Sequence, residues 1–310
     1  MRGIFIDADA AMAELVERLR APDDPVIDVH RAERPLPAEL PALIGDHDFV
    51  IDDHTPLPFD ALRACPALRH VIFLGTGARS YMDPDALARI GITVHTIKGY
   101  GDTAVAEHAF ALMWAAARQL ALMDRAIRAG AWRRAEGRQL TGKTLGLIGM
   151  GGIGREMARL GLGIGMRVLA WNRTPREVPG VVFLPLEQVL EESDVVSLHL
   201  LLTEETRGLL DAARLARLKR GAILVNTARG ALIDEAALVA ALREGRIGHA
   251  ALDVFAEEPL PPGHPLRTLD NVTLSAHSGF LTPEANETLI RRALEIARRL
   301  AAGGADVAER

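Results

Sequence analysis

The stretch "TLGLIGMGGIGREMARLG" at 144–161 reads as a short apolar strand, a glycine-rich turn and a helix in direct succession. Gly149, Gly151 and Gly154 match G-x-G-x-x-G. Each glycine then has a physical reason: a tight turn, close approach of backbone to a pyrophosphate, and close packing of helix on strand. Gly152 adds conformational freedom, and Ile153 completes the candidate cofactor contacts of the loop. The pattern alone also describes ordinary turns. Its position between a strand and a helix is what points to a dinucleotide, with the helix N-terminus facing the diphosphate.

The rest of the chain has the alternation such a loop requires. Residues 1–98 carry short β-branched runs ("GIFI", "VIDV", "DFVID", "HVIFLG", "GITVHT") between Ala/Leu-rich helical stretches, the pattern of βα units around a largely parallel sheet. A long helix is expected in "GYGDTAVAEHAFALMWAAARQL", capped by Asp102 or Thr103 with Glu107 in its positive first turn. From Thr141 six further strands are expected: "KTLGLIG", "MRVLAWN", "DVVSLHL", "GAILVNT", "HAALDVF" and "NVTLSAH". After "LTPE", Thr282 caps and Pro283 opens a final helix. The 310 residues suit about two domains. The expected class is α/β with two Rossmann-like, doubly wound parallel sheets. A dinucleotide-binding domain, 102–281, is inserted into a flavodoxin-like substrate domain made of 1–101 and 282–310.

Composition narrows the partners. A formal net charge of −5 with no block of Lys or Arg argues against a nucleic-acid surface or a polybasic membrane anchor, and leaves small acidic metabolites open. The longest nearly uninterrupted apolar run, at 109–117, is well short of the roughly 20 residues that span a bilayer. "MRGIFIDADAAM" lacks a signal-peptide pattern, so a cytoplasmic location is expected. Cys65 is the single cysteine, which excludes an intrachain disulfide and a two-thiol redox site and reads as an apolar filler. No metal is expected, since neither H-E-x-x-H nor a comparable ligand cluster occurs.

The strand "RVLAW" ends where an Asp or Glu would hold the ribose 2′-hydroxyl of NAD. Here stand Asn172, Arg173 and Thr174. No carboxylate opposes a 2′-phosphate, and Arg173 offers it a charge-assisted partner, so NADP(H) is favoured, with NAD(H) kept open. Arg176 is a candidate helper. Three further polar residues follow late strands, at the edge where open α/β sheets bind ligands: Arg229 after "GAILVNTA", Glu258 after "ALDVFAE" and His277 after "NVTLSA". Each has a bland reading as a loop cation, a solvated acid and a buried imidazole. Together they suit reduction of a ketone by a nicotinamide, in which the oxygen gains charge and needs a proton. Histidine titrates near neutrality, a carboxylate raises and orients it, and an arginine binds both the substrate carboxylate and the carbonyl.

With these residues in place the chain resembles the D-isomer-specific 2-hydroxyacid dehydrogenases. The matching stretches are "GYGDTAVAEHAFALM", "LGLIGMGGIGREMA", "SLHLLLTEETRGLLD", "GAILVNTARGALIDEAAL", "ALDVFAEEPLP" and "NVTLSAHSGFLTPEA", in family order. The resemblance implies two domains with the substrate in the cleft, catalysis by Arg229, Glu258 and His277, and a homodimer formed through the cofactor domain. It implies that the backbone of Thr76, Gly77 and Ala78 meets the substrate carboxylate along with Arg229, while His277 meets the carbonyl oxygen. It also implies that Thr103, Thr227, Ala228, Asp253 and Gly279 line the nicotinamide half of the cofactor site. The expected substrate is a small 2-keto acid or 2-hydroxy acid, with glyoxylate or hydroxypyruvate first. "WNRT" is close to the NADPH-linked reductases of those acids, and the short chain lacks the regulatory extension of many phosphoglycerate dehydrogenases.

Departures from the family bear on the substrate. The loop "GTGARSYMD" differs from the family theme, with Arg79 or Tyr81 expected to reshape the pocket wall, and "SAHSGF" places Phe280 where many relatives have a small residue. Branched or aromatic keto acids stay open, as do an unusual substrate such as phosphite and a nucleotide-sensing interaction protein of the same fold. His108, His199 and His249 lie in or beside apolar elements and read as structural. Ser278 reads as a hydrogen-bonding neighbour of His277, not as a nucleophile.

Overall fold

The computed structural model describes residues 1–31, 34–174 and 177–303. The chain divides into two compact units, Met1–Gly101 with the segment starting at Thr282, and Asp102–Leu281. The first unit holds strands β1 (Arg2–Phe5), β2 (Val26–Val29), β3 (Phe49–Asp52), β4 (His70–Phe73) and β5 (Thr93–Thr96), all parallel in the order β2-β1-β3-β4-β5. That order is the flavodoxin-like one. Side chains along β3 alternate between two cores: Val50 packs with Ile4 and Val71, while Phe49 and Ile51 pack with Phe5 and Ile72 on the opposite face. Strands covered on both faces read as nearly continuous apolar runs, which is why "DFVID" shows no polar alternation.

Helix Pro283–Ala301 rejoins this unit. Leu289, Ile290, Ala293, Leu294 and Ala297 line one side of it and pack with Met12, Ala13 and Val16 of helix Ala10–Leu19. Thr282 Oγ1 accepts from the Ala285 N–H at 3.2 Å and Pro283 occupies the first turn, as expected from "LTPE". Cys65 is buried and free, its thiol directed at the Ala61 carbonyl.

One buried acid makes this unit sensitive to pH. The Asp7 carboxylate, just beyond β1, accepts from the N–H groups of Asp53, His54 and Thr55 and from the Thr55 hydroxyl. Asp52, fully buried at the end of β3, accepts from Thr55 N through Oδ1, while Oδ2 has no partner among the described residues. Burial, then the negative charge of Asp7, pushes its carboxyl well above the usual range. The native state therefore keeps a proton that the unfolded chain has lost once pH exceeds the ordinary carboxylate value. Stability must fall as pH rises through that window. Asp52→Asn keeps the shape without the ionisation, so it should flatten the pH dependence of thermal unfolding and raise Tm near neutrality by a few degrees, equivalent to about 1 kcal/mol. An unchanged pH profile would show that Asp52 is not the responsible group.

The second unit holds β6 (Thr144–Ile148), β7 (Arg167–Trp171), β8 (Val181–Phe183), β9 (Val195–Leu198), β10 (Ala222–Asn226), β11 (Ile247–Leu252) and β12 (Val272–Leu274). All are parallel, in the order β12-β11-β10-β9-β6-β7-β8. Strand order reverses between β6 and β9, the topological switch point at which dinucleotides bind in such sheets. Seven strands stand where six were expected. The extra one, β8, is a three-residue edge strand directly after Pro179 and Gly180, in the short apolar run "VVFL" that by itself does not distinguish a strand from the start of a helix.

Two other local expectations change. Asp102 and Thr103 are the first two residues of helix Asp102–Ala117 rather than residues preceding it. The helical run after it breaks at Gln119, which is left-handed at φ 52°, before helix Leu120–Arg128. Among the described residues no helix is long and apolar enough to cross a membrane.

Candidate active site

The glycine loop connects β6 to helix Gly152–Gly163. Gly149 has φ 105°, and its N–H donates to the Trp171 carbonyl at 2.8 Å. A Cβ at 149 would collide with the His199 carbonyl, and one at 154 with the Gly149 carbonyl. At Gly151 a Cβ would meet no protein atom within 4 Å, so the chain itself leaves open the side from which a ligand approaches. Gly152 does more than add freedom: the Asp102 carboxylate fills the space a side chain there would need. The N-cap of this helix is Gly151, which supplies no side-chain cap, and the Asp102 carboxylate is the side chain that lies against its first residue. Ile153 is half-buried and Thr103 exposed in the first turn of its own helix.

The residues after β7 divide by role. Asn172 Oδ1 accepts from the Met150 N–H at 3.1 Å while Nδ2 donates to the Thr174 carbonyl at 2.8 Å, so this amide ties the glycine loop to the following turn. The Arg173 side chain is 85% exposed and reaches Glu205, also exposed, at 3.5 Å. Thr174 is exposed, and Arg176 lies outside the described residues. On the other side of the switch point, Thr227 Oγ1 is buried with no partner among the described residues, an orphan that a bound polar group would satisfy. An open approach at Gly151 and an orphaned hydroxyl at Thr227 together fit a dinucleotide.

Three strand ends carry the polar residues. Asn226, fully buried at the end of β10, donates from Nδ2 to the Arg229 carbonyl at 2.9 Å and accepts from the Ala228 N–H at 3.0 Å, which fixes the turn presenting Ala228 and Arg229. Sequence reasoning missed Asn226, although a buried amide one residue before a turn is a common way of holding one. Arg229 Nη1 donates to the Ala228 carbonyl at 2.6 Å, leaving its other donors for a ligand. Gly230, next in line, packs so tightly on the backbone of Phe255 and Ala256 that no side chain fits.

Glu258 and His277 meet directly: the Nδ1–H of His277 donates to Glu258 Oε2 at 2.7 Å, and Oε1 accepts from the Phe255 N–H at 2.9 Å. Burial alone would push the Glu258 carboxyl up. The His277 hydrogen bond, the Phe255 N–H and the charges of His277 and Arg229 outweigh it and hold the group below the usual range. A carboxylate that stays ionised keeps the proton on Nδ1 and leaves Nε2 as the ring atom able to exchange one. The Phe280 ring stands edge-on to the imidazole, with centroids 6.3 Å apart.

Asp253, directly after β11, is 1% exposed. Its carboxylate accepts from Ser275 Oγ at 2.5 Å and from the N–H groups of Ser278 and Gly279 at 3.0 and 2.9 Å. His108 Nε2 lies 3.2 Å from the same carboxylate. Burial again opposes ionisation, and the bonds to His108, Ser275 and the two N–H groups overcome it, holding the carboxyl well below its ordinary value. His199 and His249 are buried and neutral, pushed down to about 3 and about 4 by burial, with the Arg125 charge adding to the second.

In the first unit, Thr76, Gly77 and Ala78 follow β4 and lead into a short 3-10 turn at Ala78–Ser80. Their three N–H groups have no acceptor among the described residues. Arg79 is paired with Asp85 at 2.9 Å, and the Tyr81 ring lies tilted against Phe73 and edge-on to His54. No group of His, Cys, Asp and Glu able to hold a metal occurs among the described residues.

A doubly wound sheet with its glycine loop at the switch point defines the second unit as an NAD(P)-binding domain of an oxidoreductase. The model of the D-isomer specific 2-hydroxyacid dehydrogenase NAD binding domain matches residues 110–279. A glyoxylate reductase of Aeropyrum pernix is 43% identical over 78% of this chain and 75% of its own length. A glycerate dehydrogenase of Methylorubrum extorquens is 34% identical over 86% and 87%. Among solved structures, an acyclic imino acid reductase in complex with NADPH and D-Arg superposes with TM-score 0.86 at 28% identity, covering 98% of both chains. The chain belongs to the D-isomer specific 2-hydroxyacid dehydrogenases and is an NAD(P)-dependent enzyme of that family.

Proposed function

We propose that this enzyme reduces small 2-keto acids, glyoxylate or hydroxypyruvate first, with NADPH as the favoured reductant. The observation that carries the reading is the 2.7 Å pair of Glu258 and His277 beside Arg229, on the same sheet edge as the glycine loop. The reduced nicotinamide, when bound, supplies the hydride. Arg229 binds the substrate carboxylate and polarises the keto oxygen, with the N–H groups of Thr76, Gly77 and Ala78 as further partners of the carboxylate. His277 delivers the proton from Nε2 to that oxygen, and Glu258 holds the imidazole in the required tautomer and supports its charge. Thr103, Thr227, Ala228, Asp253 and Gly279 are assigned to the nicotinamide half of the cofactor site, and the glycine loop to the diphosphate. The relatives named as glyoxylate reductase and glycerate dehydrogenase support the substrate class. The deciding experiment follows loss of NADPH and NADH with glyoxylate, hydroxypyruvate, pyruvate and bulkier 2-keto acids. Turnover fastest with a two- or three-carbon acid is the expected result, and turnover confined to branched or aromatic acids would refute it.

The exposed guanidinium of Arg173, with no carboxylate at the end of β7, supports NADPH, as does the NADPH-bound relative. Arg173→Ala should lower kcat/KM with NADPH roughly 10- to 100-fold, the worth of a hydrogen bond to a charged group, and leave NADH nearly unchanged. An equal loss with both reductants would remove Arg173 from the 2′-phosphate.

The reading includes a homodimer. Leu120, Ile127 and Trp132 of the second unit are 51%, 56% and 86% exposed, an apolar set better explained by a second copy of this chain than by solvent. Trp132→Ala should weaken self-association at least tenfold in sedimentation equilibrium, Trp being a frequent interface anchor. A wild-type protein that sediments as a monomer would end this part of the proposal.

A further inference from the structure

His277 sits in a backbone conformation that L residues avoid, at φ 50°, which costs roughly 1–3 kcal/mol and persists only where the surroundings over-determine it. Asp253 supplies that constraint. Its carbonyl accepts from the His277 N–H at 2.8 Å, while its carboxylate takes Ser275 Oγ from before His277 and the Ser278 and Gly279 N–H groups from after it. The whole loop is thus wound around one buried carboxylate.

That carboxylate is held in turn from a distant element. His108, half-buried on helix Asp102–Ala117, reaches Asp253 Oδ1 at 3.2 Å and Ser275 Oγ at 3.0 Å with the same Nε2. The serine hydroxyl spends its proton on Asp253 and therefore accepts from His108, so His108 Nε2–H is a donor shared between the two. Gly279 closes the arrangement, since a side chain there would stand 3.1 Å from Asp253 Oδ2 and 3.4 Å from the His108 ring. The helix is fixed independently by Ala106, Ala109, Leu112 and Met113 in the core, so it can serve as an anchor for the loop.

We propose that His108 is a positioning residue for His277, setting the aim of its imidazole by bracing Asp253 and Ser275 from the helix. The inference rests on the reading of His277 as proton donor. A residue acting in this way changes the chemical step more than the affinity for ligands, because misplacing a reacting group by about 1 Å can cost roughly a hundredfold.

The test compares His108→Ala and His108→Gln for kcat, KM of the preferred keto acid and dinucleotide Kd, each also in a His277→Asn background. The expected result is a 10- to 100-fold lower kcat for the alanine variant, a larger change than that in either Kd or KM. Glutamine, whose amide can place an N–H near the position of Nε2, should restore most of the rate. In the His277→Asn background His108→Ala should cost nothing further, the signature of two residues acting as one. Wild-type kcat in His108→Ala, no rescue by glutamine, or the same loss in both backgrounds would overturn the proposal. Should the alanine variant unfold, Ser275→Ala removes the shared acceptor and must give the same kinetic pattern. Wild-type turnover in His277→Asn alone would instead overturn the assignment of the proton donor.

Discussion

His277→Ala should lower kcat for keto-acid reduction by about 10²- to 10⁴-fold, the usual contribution of a positioned general acid, and should leave the dinucleotide Kd within about twofold. The reason for the split lies in the division of the sheet edge. The elements assigned to the dinucleotide, the loop at Gly149–Gly154 and the buried Thr227 hydroxyl, are fixed by Trp171, Asn172 and the core of the second unit, not by the imidazole. What the variant loses is the Nε2 proton. It also leaves Glu258 without the hydrogen bond that does most to offset burial. The Glu258 carboxyl then rises toward or above its ordinary value, and any residual activity that depends on its charge should fade at a higher pH than in the wild type. Steady-state kinetics over pH, with fluorescence titration of the dinucleotide, read both effects. Undiminished turnover would exclude His277 as the proton donor, and a parallel loss of dinucleotide affinity would place its role in binding.

The strands were legible because each is a compact β-branched run between turn residues, and the parallel class followed from helical stretches between them. The glycine loop was legible for the same local reason. Arg229, Glu258 and His277 could be singled out because each stands at or shortly after a strand end, where such sheets carry chemistry. What escaped detection was non-local. His108 and Ser275 are 167 positions apart, so nothing in the sequence near either predicts that they share a proton. Gly152 reads as a spare glycine until Asp102, from another helix, is seen to fill the space beside it. The break at Gln119 has no glycine or proline to announce it, and the run "VVFL" that holds β8 is as compatible with a helix start as with an edge strand. Local pattern specifies elements and the positions of polar residues, whereas the partners that aim them depend on tertiary contacts that no window of sequence contains.

Arg229→Ala should lower kcat/KM for the keto acid by roughly 10²- to 10⁴-fold, as expected for losing two hydrogen bonds to charged or charging oxygens at about 1.5–3 kcal/mol each. KM should rise because the substrate carboxylate loses its fork, and kcat should fall because the keto oxygen loses a donor as its charge grows. Arg229→Lys distinguishes geometry from charge. A lysine restores a positive point charge but not two parallel N–H groups, so it should recover much of KM and little of kcat. The fold should tolerate both changes, since the turn is held by Asn226 through the backbone of residues 228 and 229 and the Arg229 side chain gives up only a bond to its neighbour's carbonyl. Removing the guanidinium also removes one of the charges that holds Glu258 ionised, so the acid limb of the kcat profile should move to higher pH in the alanine variant and stay near the wild-type position in the lysine one. A lysine variant that matched wild-type kcat would show that charge alone suffices there, and an alanine variant with wild-type kcat/KM would move substrate recognition away from this strand end.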